Sequence, residues 1–247
     1  MSAPLNDSAK ATRQNQGFDR QPEAKKLPDN LIGLDIKLRC AQHLATVHAA
    51  GYDVYAPRDY EEIPGLVERT GRQKQSPMLS ISRNDFAHGD AFWLFLMRDG
   101  EAVGGCAAKF SDLRDEPFDA YLRRTSKAQY GRKSDPIATV AGPIVEDLRG
   151  RLIYVGELEL HPEHRGKVNL LFAFMRLLHG LAADMWSEFD WIYAFVPKEH
   201  VKLCDGYGFS WKLPRAITWV EPVPAGRLNS HWLVATKRSH FKHMWAT

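Results

Sequence analysis

One segment, residues 156–170, constrains the fold more than any other part of this chain. It alternates apolar and charged residues up to Leu160, turns at Pro162, crosses a short basic stretch and then enters a long apolar run. Alternation with a period of two predicts a half-buried strand, and the apolar run predicts a buried helix. The aligned amides at the start of such a helix carry about half a positive charge, so this junction favours an anion.

Further helices and strands surround this junction. Two apolar runs, 91–97 and 102–110, flank an Asp-Gly pair, which is a strong signal for a β-hairpin. Apolar residues at helical spacing, Leu34 and Leu38 among them, predict a first helix over 34–50. The other predicted elements are strands at 52–56, 152–160, 191–196, 217–220 and 231–236, the last two forming a hairpin, and helices at 59–68, 118–129, 169–186 and 199–207. This order predicts a mixed sheet with helices on its faces.

Composition divides the chain into a tail and one domain. Residues 1–30 are polar and offer almost no apolar surface to offset the entropy of ordering, so we expect a disordered tail. Residues 31–247 form a single predicted domain, which is long enough to bury a substantial core. Within it, residues 111–150 mix charge clusters with Gly and Pro, and we interpret them as an insertion long enough to be functional.

Charge and cysteine content narrow the classes of function. The 33 Lys and Arg against 30 Asp and Glu give a net charge of +3, which is too mild to indicate nucleic-acid binding. Three cysteines without metal-ligand spacing suit a reducing compartment. The N-terminus has no signal-peptide pattern, and no apolar run reaches the ~20 residues of a membrane span, so we expect a cytoplasmic protein. One acid-free basic stretch, 123–133, is either solvated surface or a binding patch.

Three segments of the chain carry a family pattern. The first is the hairpin over 91–110, which contains Val-Gly-Gly, the second is Leu-Glu-Leu-His-Pro-Glu-His-Arg-Gly-Lys at 158–167, and the third is Leu-Cys-Asp-Gly-Tyr-Gly-Phe at 203–209. Together they resemble the GNAT superfamily of acyl-CoA-dependent N-acetyltransferases over about residues 52–236. The second segment is similar to the family's strand, its Pro-Glu-x-Arg-Gly-Lys turn and its coenzyme A helix.

The resemblance implies a fold, a cosubstrate and a set of binding residues. The fold would be an α/β (α+β) one of GNAT type, with a mixed, mostly antiparallel central sheet flanked by helices. The cosubstrate would be acetyl-CoA or another acyl-CoA, and the acceptor an amine of a small molecule or peptide; because such folds often pair, a homodimer is possible. The thioester carbonyl would meet a main-chain N–H near Leu160. The residues expected to bind coenzyme A are Leu158, Leu160, Arg165, Gly166, Lys167, Val168, Asn169 and Leu170.

The sequence departs from the family pattern at four positions. Val168 and Leu170 occupy positions that the family fills with small residues, and we expect their side chains to hinder the approach of a pyrophosphate. Cys204 stands where the family has a tyrosine, and Pro197 lies near a position often filled by asparagine. These departures indicate a divergent branch, a different acyl donor or a lost activity.

Glu157 and Glu159 are the candidate general bases. Acyl transfer requires a neutral amine, and deprotonating a lysine-like amine of pKa about 10.4 at neutral pH costs about 4–5 kcal/mol. A carboxylate close to a water chain can take that proton. The two-residue period of a strand predicts both side chains on one face. Either one of them is the base, or both lie on a solvated face or pair with Arg149 or Arg151.

Cys204 has three interpretations. It can act as a general acid that protonates the leaving thiolate, as a nucleophile that carries the acyl group, or as a small buried hydrophobe. His200 lies four residues earlier, so the two side chains can pair on one helix face. His161 and His164 flank Glu163 but have no third ligand at suitable spacing, so we expect no metal.

The sequence therefore favours a cytoplasmic N-acyltransferase, most simply an acetyltransferase, in which a carboxylate assists direct attack of an amine on acyl-CoA. The departures from the family pattern support an alternative, a non-catalytic GNAT-like binding or regulatory module. A further alternative is an acyltransferase that acts on nucleic acid, with the basic stretch 123–133 as its docking surface.

Overall fold

The computed structural model describes residues 29–86, 89–131 and 133–246. The helices are α1 (Asp29–Ala49), α2 (Ile63–Arg69), α3 (Phe118–Gln129), α4 (Gly142–Asp147), α5 (Val168–Met185), α6 (Cys204–Tyr207) and α7 (Arg238–Ala246). The strands are β1 (Asp53–Tyr55), β2 (Ala91–Arg98), β3 (Glu101–Asp112), β4 (Ile137–Val140), β5 (Arg151–Leu160), β6 (Trp191–Val196), β7 (Trp211–Leu213), β8 (Ile217–Trp219) and β9 (Trp232–Lys237). Most of the predicted tail, residues 1–28, lies outside the described residues, and residues 29 and 30 begin α1.

Seven strands form one mixed sheet in the order β1-β2-β3-β5-β6-β9-β7. Within it β5 and β6 run parallel, and every other neighbouring pair is antiparallel. Parallel neighbours need a crossover connection, which α5 provides. Helices α1, α5 and α7 pack on one face, and α2, α3 and α4 on the other. The predicted mixed, mostly antiparallel sheet flanked by helices is confirmed.

Asp99 and Gly100 make the turn between β2 and β3. Their φ angles are both positive, 52° and 84°, which is the backbone of a type I′ turn. Glycine adopts this conformation without steric cost, and aspartate does so more readily than most residues. Arg98 and Glu101 therefore face each other directly across the turn. The predicted hairpin is confirmed.

Helix α5 lies at the centre of the hydrophobic core on its face of the sheet. Its buried residues include Leu170, Phe174, Leu177 and Leu178, as its apolar pattern predicts. Of the described helices, α5 is long and apolar enough to span a membrane by length and composition, with a mean hydropathy of 1.3, and 56% of it is buried inside the fold. Met185, at the end of α5, is 58% exposed.

The helix predicted over 34–50 forms as part of α1 but buries a different face. Leu34 and Leu38 are 50% and 55% exposed, whereas Ile36 and Cys40 are buried. Apolar residues lie on two neighbouring faces of α1, one with Leu34 and Leu38 and the other with Ile36 and Cys40. Contact with α5 buries the face that contains Ile36 and Cys40. Gly180 of α5 makes this contact close, because a Cβ there would collide with Cys40 Sγ.

The hairpin predicted for 217–220 and 231–236 is wrong. Strand β8 pairs with β4, which belongs to the predicted insertion at 111–150, and the two form a separate two-stranded sheet. Strand β9 enters the main sheet between β6 and β7. Strands β4 and β7 and helices α4 and α7 were not predicted from the sequence. The three residues of β7 are too few for a periodic signal. The insertion thus covers one face of the sheet and is tied to the C-terminal part of the chain.

Candidate active site

Strands β5 and β6 part halfway along their length. They pair at Leu152↔Trp191, Ile153↔Ile192 and Tyr154↔Tyr193. Beyond these pairs, β5 continues to Leu160 alongside β3, and β6 continues to Val196 alongside β9. A cleft therefore opens between the two strands, at the end where β5 turns towards α5.

The main-chain N–H of Leu160 faces this cleft. His161 donates its N–H to the Val103 carbonyl of β3 at 2.8 Å, and successive residues of an antiparallel ladder point their N–H groups to opposite sides. Leu160 therefore directs its own N–H and carbonyl away from β3. Its carbonyl accepts a hydrogen bond from Arg165 Nε at 2.9 Å. An N–H donor in a cleft can stabilise negative charge that develops on an acyl oxygen.

The first turn of α5 presents unused backbone donors beside the cleft. The helix's first hydrogen bond runs from the Leu171 N–H to the Lys167 carbonyl, and no side chain caps the turn. The N–H groups of the three preceding residues have no partner within the helix. Gly166, just before the helix, has a φ of 86° and no atoms within 4 Å of where a Cβ would lie. This open turn can accept an anionic group.

The two large residues of this turn point in different directions. Leu170 is 3% exposed and packs in the core, whereas Val168 is 45% exposed. The expected hindrance from the Leu170 side chain is therefore absent, because the helical twist carries it inwards while its N–H stays at the helix end. Val168 lies on the surface beside the turn.

The basic side chains of the turn are engaged by the protein itself. Arg165 donates to Glu159 Oε1 at 2.7 Å as well as to the Leu160 carbonyl. Lys167 Nζ donates to the Tyr52 hydroxyl at 2.6 Å and lies 4.8 Å from the centre of that ring. Both were predicted to add charge to a phosphate site. In this structure the backbone amides are free for that purpose, and the two side chains would have to turn outwards.

Glu157 is the buried carboxylate of the site. It is 7% exposed and has a φ of 62°. Two residues of β5 here oppose the single residue Cys106 of β3, which is a β-bulge. Glu157 Oε1 accepts hydrogen bonds from the Ser76 N–H at 2.7 Å and from Arg72 at 3.2 Å. The other oxygen, Oε2, is buried and has no protein partner within the described part of the chain.

A small cavity adjoins Glu157 and contains further unpaired polar atoms. Its volume is about 10 Å³, and its lining includes Arg72, Trp93 and Glu157, which is about the space that one water molecule needs. Arg72 Nε and Trp93 Nε1 are, like Glu157 Oε2, buried without a hydrogen-bond partner among the described residues. The carboxylate therefore borders a small cavity, lined mainly by apolar groups, in which one water molecule could contact its free oxygen. No pattern in the sequence indicates a role for Arg72, which lies 85 residues before Glu157 along the chain.

Glu159 is more exposed and is held by two arginines. Its carboxylate lies 3.8 Å from Arg72 and 2.7 Å from Arg165. The bulge interrupts the two-residue period that was expected to align Glu157 with Glu159, yet both still reach Arg72. The expected alternative, pairing with Arg149 or Arg151, is wrong for Arg151, which pairs with Glu188 and Asp190.

Cys204 lies inside the hydrophobic core. Its side chain is fully buried, and burial raises the pKa of its thiol to about 11. The thiol contacts the main-chain carbonyl of His200 at 3.6 Å, so the proposed thiol–imidazole pair does not form. Of the three interpretations, the structure favours the small buried hydrophobe.

The two histidines of the turn do not form a metal site with their neighbours. His164 Nδ1 is 2.9 Å from the Tyr52 hydroxyl, and its ring lies 6.2 Å from that of His161. Among the residues that the structure describes, no group of three or more His, Cys, Asp or Glu side chains is arranged to hold a metal ion.

Two arginines of the basic stretch at 123–133 pair with acids from outside it. Arg123 pairs with Asp135 at 2.6 Å and Arg124 with Glu116 at 2.7 Å. Residue 132 of the stretch lies outside the described residues. These ion pairs weaken the case for a nucleic-acid surface.

Comparisons with known proteins add names but no close relative. No protein-family model matches the chain, and no curated protein matches it. Solved structures that resemble it include a variant of agmatine N-acetyltransferase in its apo form, with 12% identity over 75% of this chain and 100% of that one and a TM-score of 0.46. Another is FeeM, an N-acyl amino acid synthase from uncultured soil microbes, with 11% identity, coverage of 77% and 92%, and a TM-score of 0.44.

A third is Arabidopsis thaliana NAA60 in complex with a bisubstrate analogue, with 14% identity, coverage of 74% and 98%, and a TM-score of 0.42. Likeness at these identities and TM-scores does not assign an activity to this chain. The class of the fold, a mixed and mostly antiparallel sheet flanked by helices, follows from its own strand order.

Proposed function

We propose that this protein transfers an acyl group from acyl-CoA to an amine. The observation that carries the proposal is the cleft between β5 and β6, because three features lie on the strand and the helix that border it. They are the outward-facing Leu160 N–H, the uncapped first turn of α5 and the buried carboxylate of Glu157. The uncapped turn suits the pyrophosphate of coenzyme A, and the cleft suits the extended arm that leads to the thioester.

The proposed reaction is a direct attack within this cleft. The neutral amine nitrogen attacks the thioester carbon, and the carbonyl oxygen gains negative charge, which the Leu160 N–H stabilises. As the tetrahedral intermediate collapses, the C–S bond breaks, the amide forms and coenzyme A leaves as the thiolate. The proton lost by the amine goes to Glu157, directly or through water, and the thiolate takes its proton from solvent.

Glu157 is favoured over Glu159 as the base because one of its oxygens is free. Both Glu157 hydrogen bonds end on Oε1, and Oε2 is left to accept a proton. Both oxygens of Glu159 lie in ion pairs, one with Arg72 and one with Arg165. Glu159 therefore has no oxygen that is free of an ion pair and able to receive the proton.

The test combines binding and turnover in matched variants. Purified protein is titrated with acetyl-CoA in a calorimeter, and thiol release is measured with a panel of amines. Glu157→Gln is expected to lower kcat by about 10²- to 10⁴-fold with the Kd for acetyl-CoA unchanged, because only proton transfer is lost. Glu159→Gln is expected to cause a smaller loss. Absence of acetyl-CoA binding at millimolar concentration, or full activity of the Glu157→Gln variant, would refute the proposal.

The second candidate, a non-catalytic binding module, is favoured by the engagement of Arg165 and Lys167 within the protein. It predicts no thiol release with any amine offered, whether or not acetyl-CoA binds. The same experiment therefore decides between the two candidates.

A further inference from the structure

Arg227 is a buried cation with no acidic partner among the described residues. The residue is 7% exposed, and its Nε donates to the Tyr130 hydroxyl at 2.8 Å. Its guanidinium lies 5.6 Å from the centre of the Trp219 ring and 6.0 Å from that of Phe195. None of the ion pairs between described residues includes it, whereas Arg72, although more exposed, pairs with carboxylates.

This arrangement is costly for the free protein. An arginine keeps its charge at any ordinary pH, and a buried charge is normally compensated by an opposite one. The hydroxyl and aromatic groups around Arg227 are neutral. His231, another neighbour, supplies no negative charge, and burial followed by Arg227 lowers its pKa. The missing compensation is therefore one negative group.

Arg227 lies on the same face of the sheet as Glu157. Phe195, under its guanidinium, is on β6 just past the point where β5 and β6 part. Tyr154, the last β5 residue before that point, is within electrostatic reach of both Arg227 and Glu157. Gly156 adds no side chain next to Tyr154, whose hydroxyl would be 3.1 Å from a Cβ there. Cation and carboxylate thus flank one tyrosine beside the cleft.

We propose that the acceptor amine carries a carboxylate and that Arg227 binds this carboxylate, which makes the substrate class amino acids. The inference rests on the proposed function. A guanidinium that packs on aromatic rings keeps its planar fork in one orientation, and that fork matches a carboxylate with two parallel hydrogen bonds. Bound in this way, the amine is directed towards the cleft and Glu157, while the acid group cancels the buried charge.

The test compares amines that differ only in the carboxylate. Thiol release from acetyl-CoA is measured with phenylalanine against phenethylamine, arginine against agmatine, and lysine against cadaverine. The wild type is expected to favour the carboxylated member of at least one pair by about 10- to 100-fold in kcat/KM, the range for a charged hydrogen bond. Arg227→Met is expected to abolish the preference, with acetyl-CoA binding unchanged. Arg83→Met, which removes another arginine packed on Tyr130, is expected to keep it.

Equal kcat/KM values for both members of every pair would overturn the inference, as would a preference that survives in Arg227→Met. If Arg227→Met does not fold, Arg227→Lys replaces it: a reduced but measurable preference supports the inference, and an unchanged one overturns it.

If no amine supports thiol release, the proposed function fails, and the carboxylate site is then tested separately by ligand binding. The Tm of the protein is then measured with N-acetylphenylalanine and with N-acetylphenethylamine. A larger rise in Tm with N-acetylphenylalanine, lost in Arg227→Met, supports the carboxylate site. Equal rises with the two compounds overturn it.

Discussion

His179 gives the sharpest prediction for stability. It lies in α5, is 1% exposed and packs edge-on against Phe209 with ring centres 5.0 Å apart. Its Nε2 has no hydrogen-bond partner within the described residues. Burial, and next to it the charge of Arg176, lowers the pKa of His179 from 6.5 to about 3. The folded protein therefore keeps this imidazole neutral under conditions in which the unfolded chain protonates it.

The sign and size of the effect follow from proton linkage. Between the unfolded pKa of 6.5 and the folded pKa of about 3, the unfolded state binds one more proton than the folded state. The free energy of unfolding must then fall as the pH falls, by about 1.4 kcal/mol for each pH unit within the window. Between pH 7 and pH 5, where titration of the unfolded histidine is first only partial, the loss from this residue is about 2 kcal/mol.

The perturbation is His179→Leu, which fills a similar volume and cannot titrate. Urea unfolding at pH 7 and pH 5 gives the free energy of unfolding of wild type and variant. We expect the wild type to lose about 2 kcal/mol more than the variant between these two pH values. His200→Gln, at an exposed histidine, controls for general effects of pH and should follow the wild type. Equal losses in the wild type and His179→Leu would show that the imidazole is not held neutral and would refute the reasoning.

Four further predictions concern packing, backbone conformation and thiol burial. Gly180→Ala places a methyl group against Cys40 and Trp245, so we expect a loss of about 1–3 kcal/mol in thermal or urea unfolding. Gly33→Ala, where a Cβ meets nothing within 4 Å, should instead raise stability by about 0.5–1 kcal/mol, and a loss at both sites would contradict the packing argument. Gly100→Ala places an alanine at a backbone φ of 84°. It should lower the free energy of unfolding by about 1 kcal/mol in the same assay, because left-handed backbone disfavours a Cβ; no change would indicate a different turn. Iodoacetamide should leave Cys204 unmodified in the folded protein at pH 8 and alkylate it in denaturant, as mass spectrometry would show, because burial raises its pKa to about 11; rapid alkylation of the folded protein would place this thiol at the surface.

Features with a local signal could be predicted from the sequence. The Asp-Gly turn, the bounds of α3 and the passage from β5 into α5 depend on neighbouring residues, and all three form as expected. The buried face of α1 and the partner of β8 depend on elements far along the chain, and both were predicted wrongly. The local period cannot reveal such pairings because several partners satisfy it equally well.

The candidate site shows the same difference between features with a local signal and features that depend on distant residues. The strand-to-helix segment and its two glutamates were visible as a pattern, whereas the roles of Arg72 and Arg227 were not. Arg72 meets Glu157 across 85 residues of chain, and Arg227 meets Tyr130 across 97. Their importance arises from burial and from what surrounds them, which only the folded chain defines. In the same way, Cys204 resembled a reactive residue by position and is a packing residue by environment.

The separation of β5 and β6 also divides the sheet into two parts, and the boundary between these two strands is a seam. Four strands, β1, β2, β3 and β5, lie on one side of the seam and three, β6, β9 and β7, on the other, and only three residue pairs join them. Backbone amides along this seam should exchange with deuterium sooner than those of the β2–β3 hairpin, because fewer ladder bonds protect them. A molecule bound in this opening contacts both halves of the sheet. Its binding is therefore expected to stabilise the whole sheet and not only the residues that line the opening.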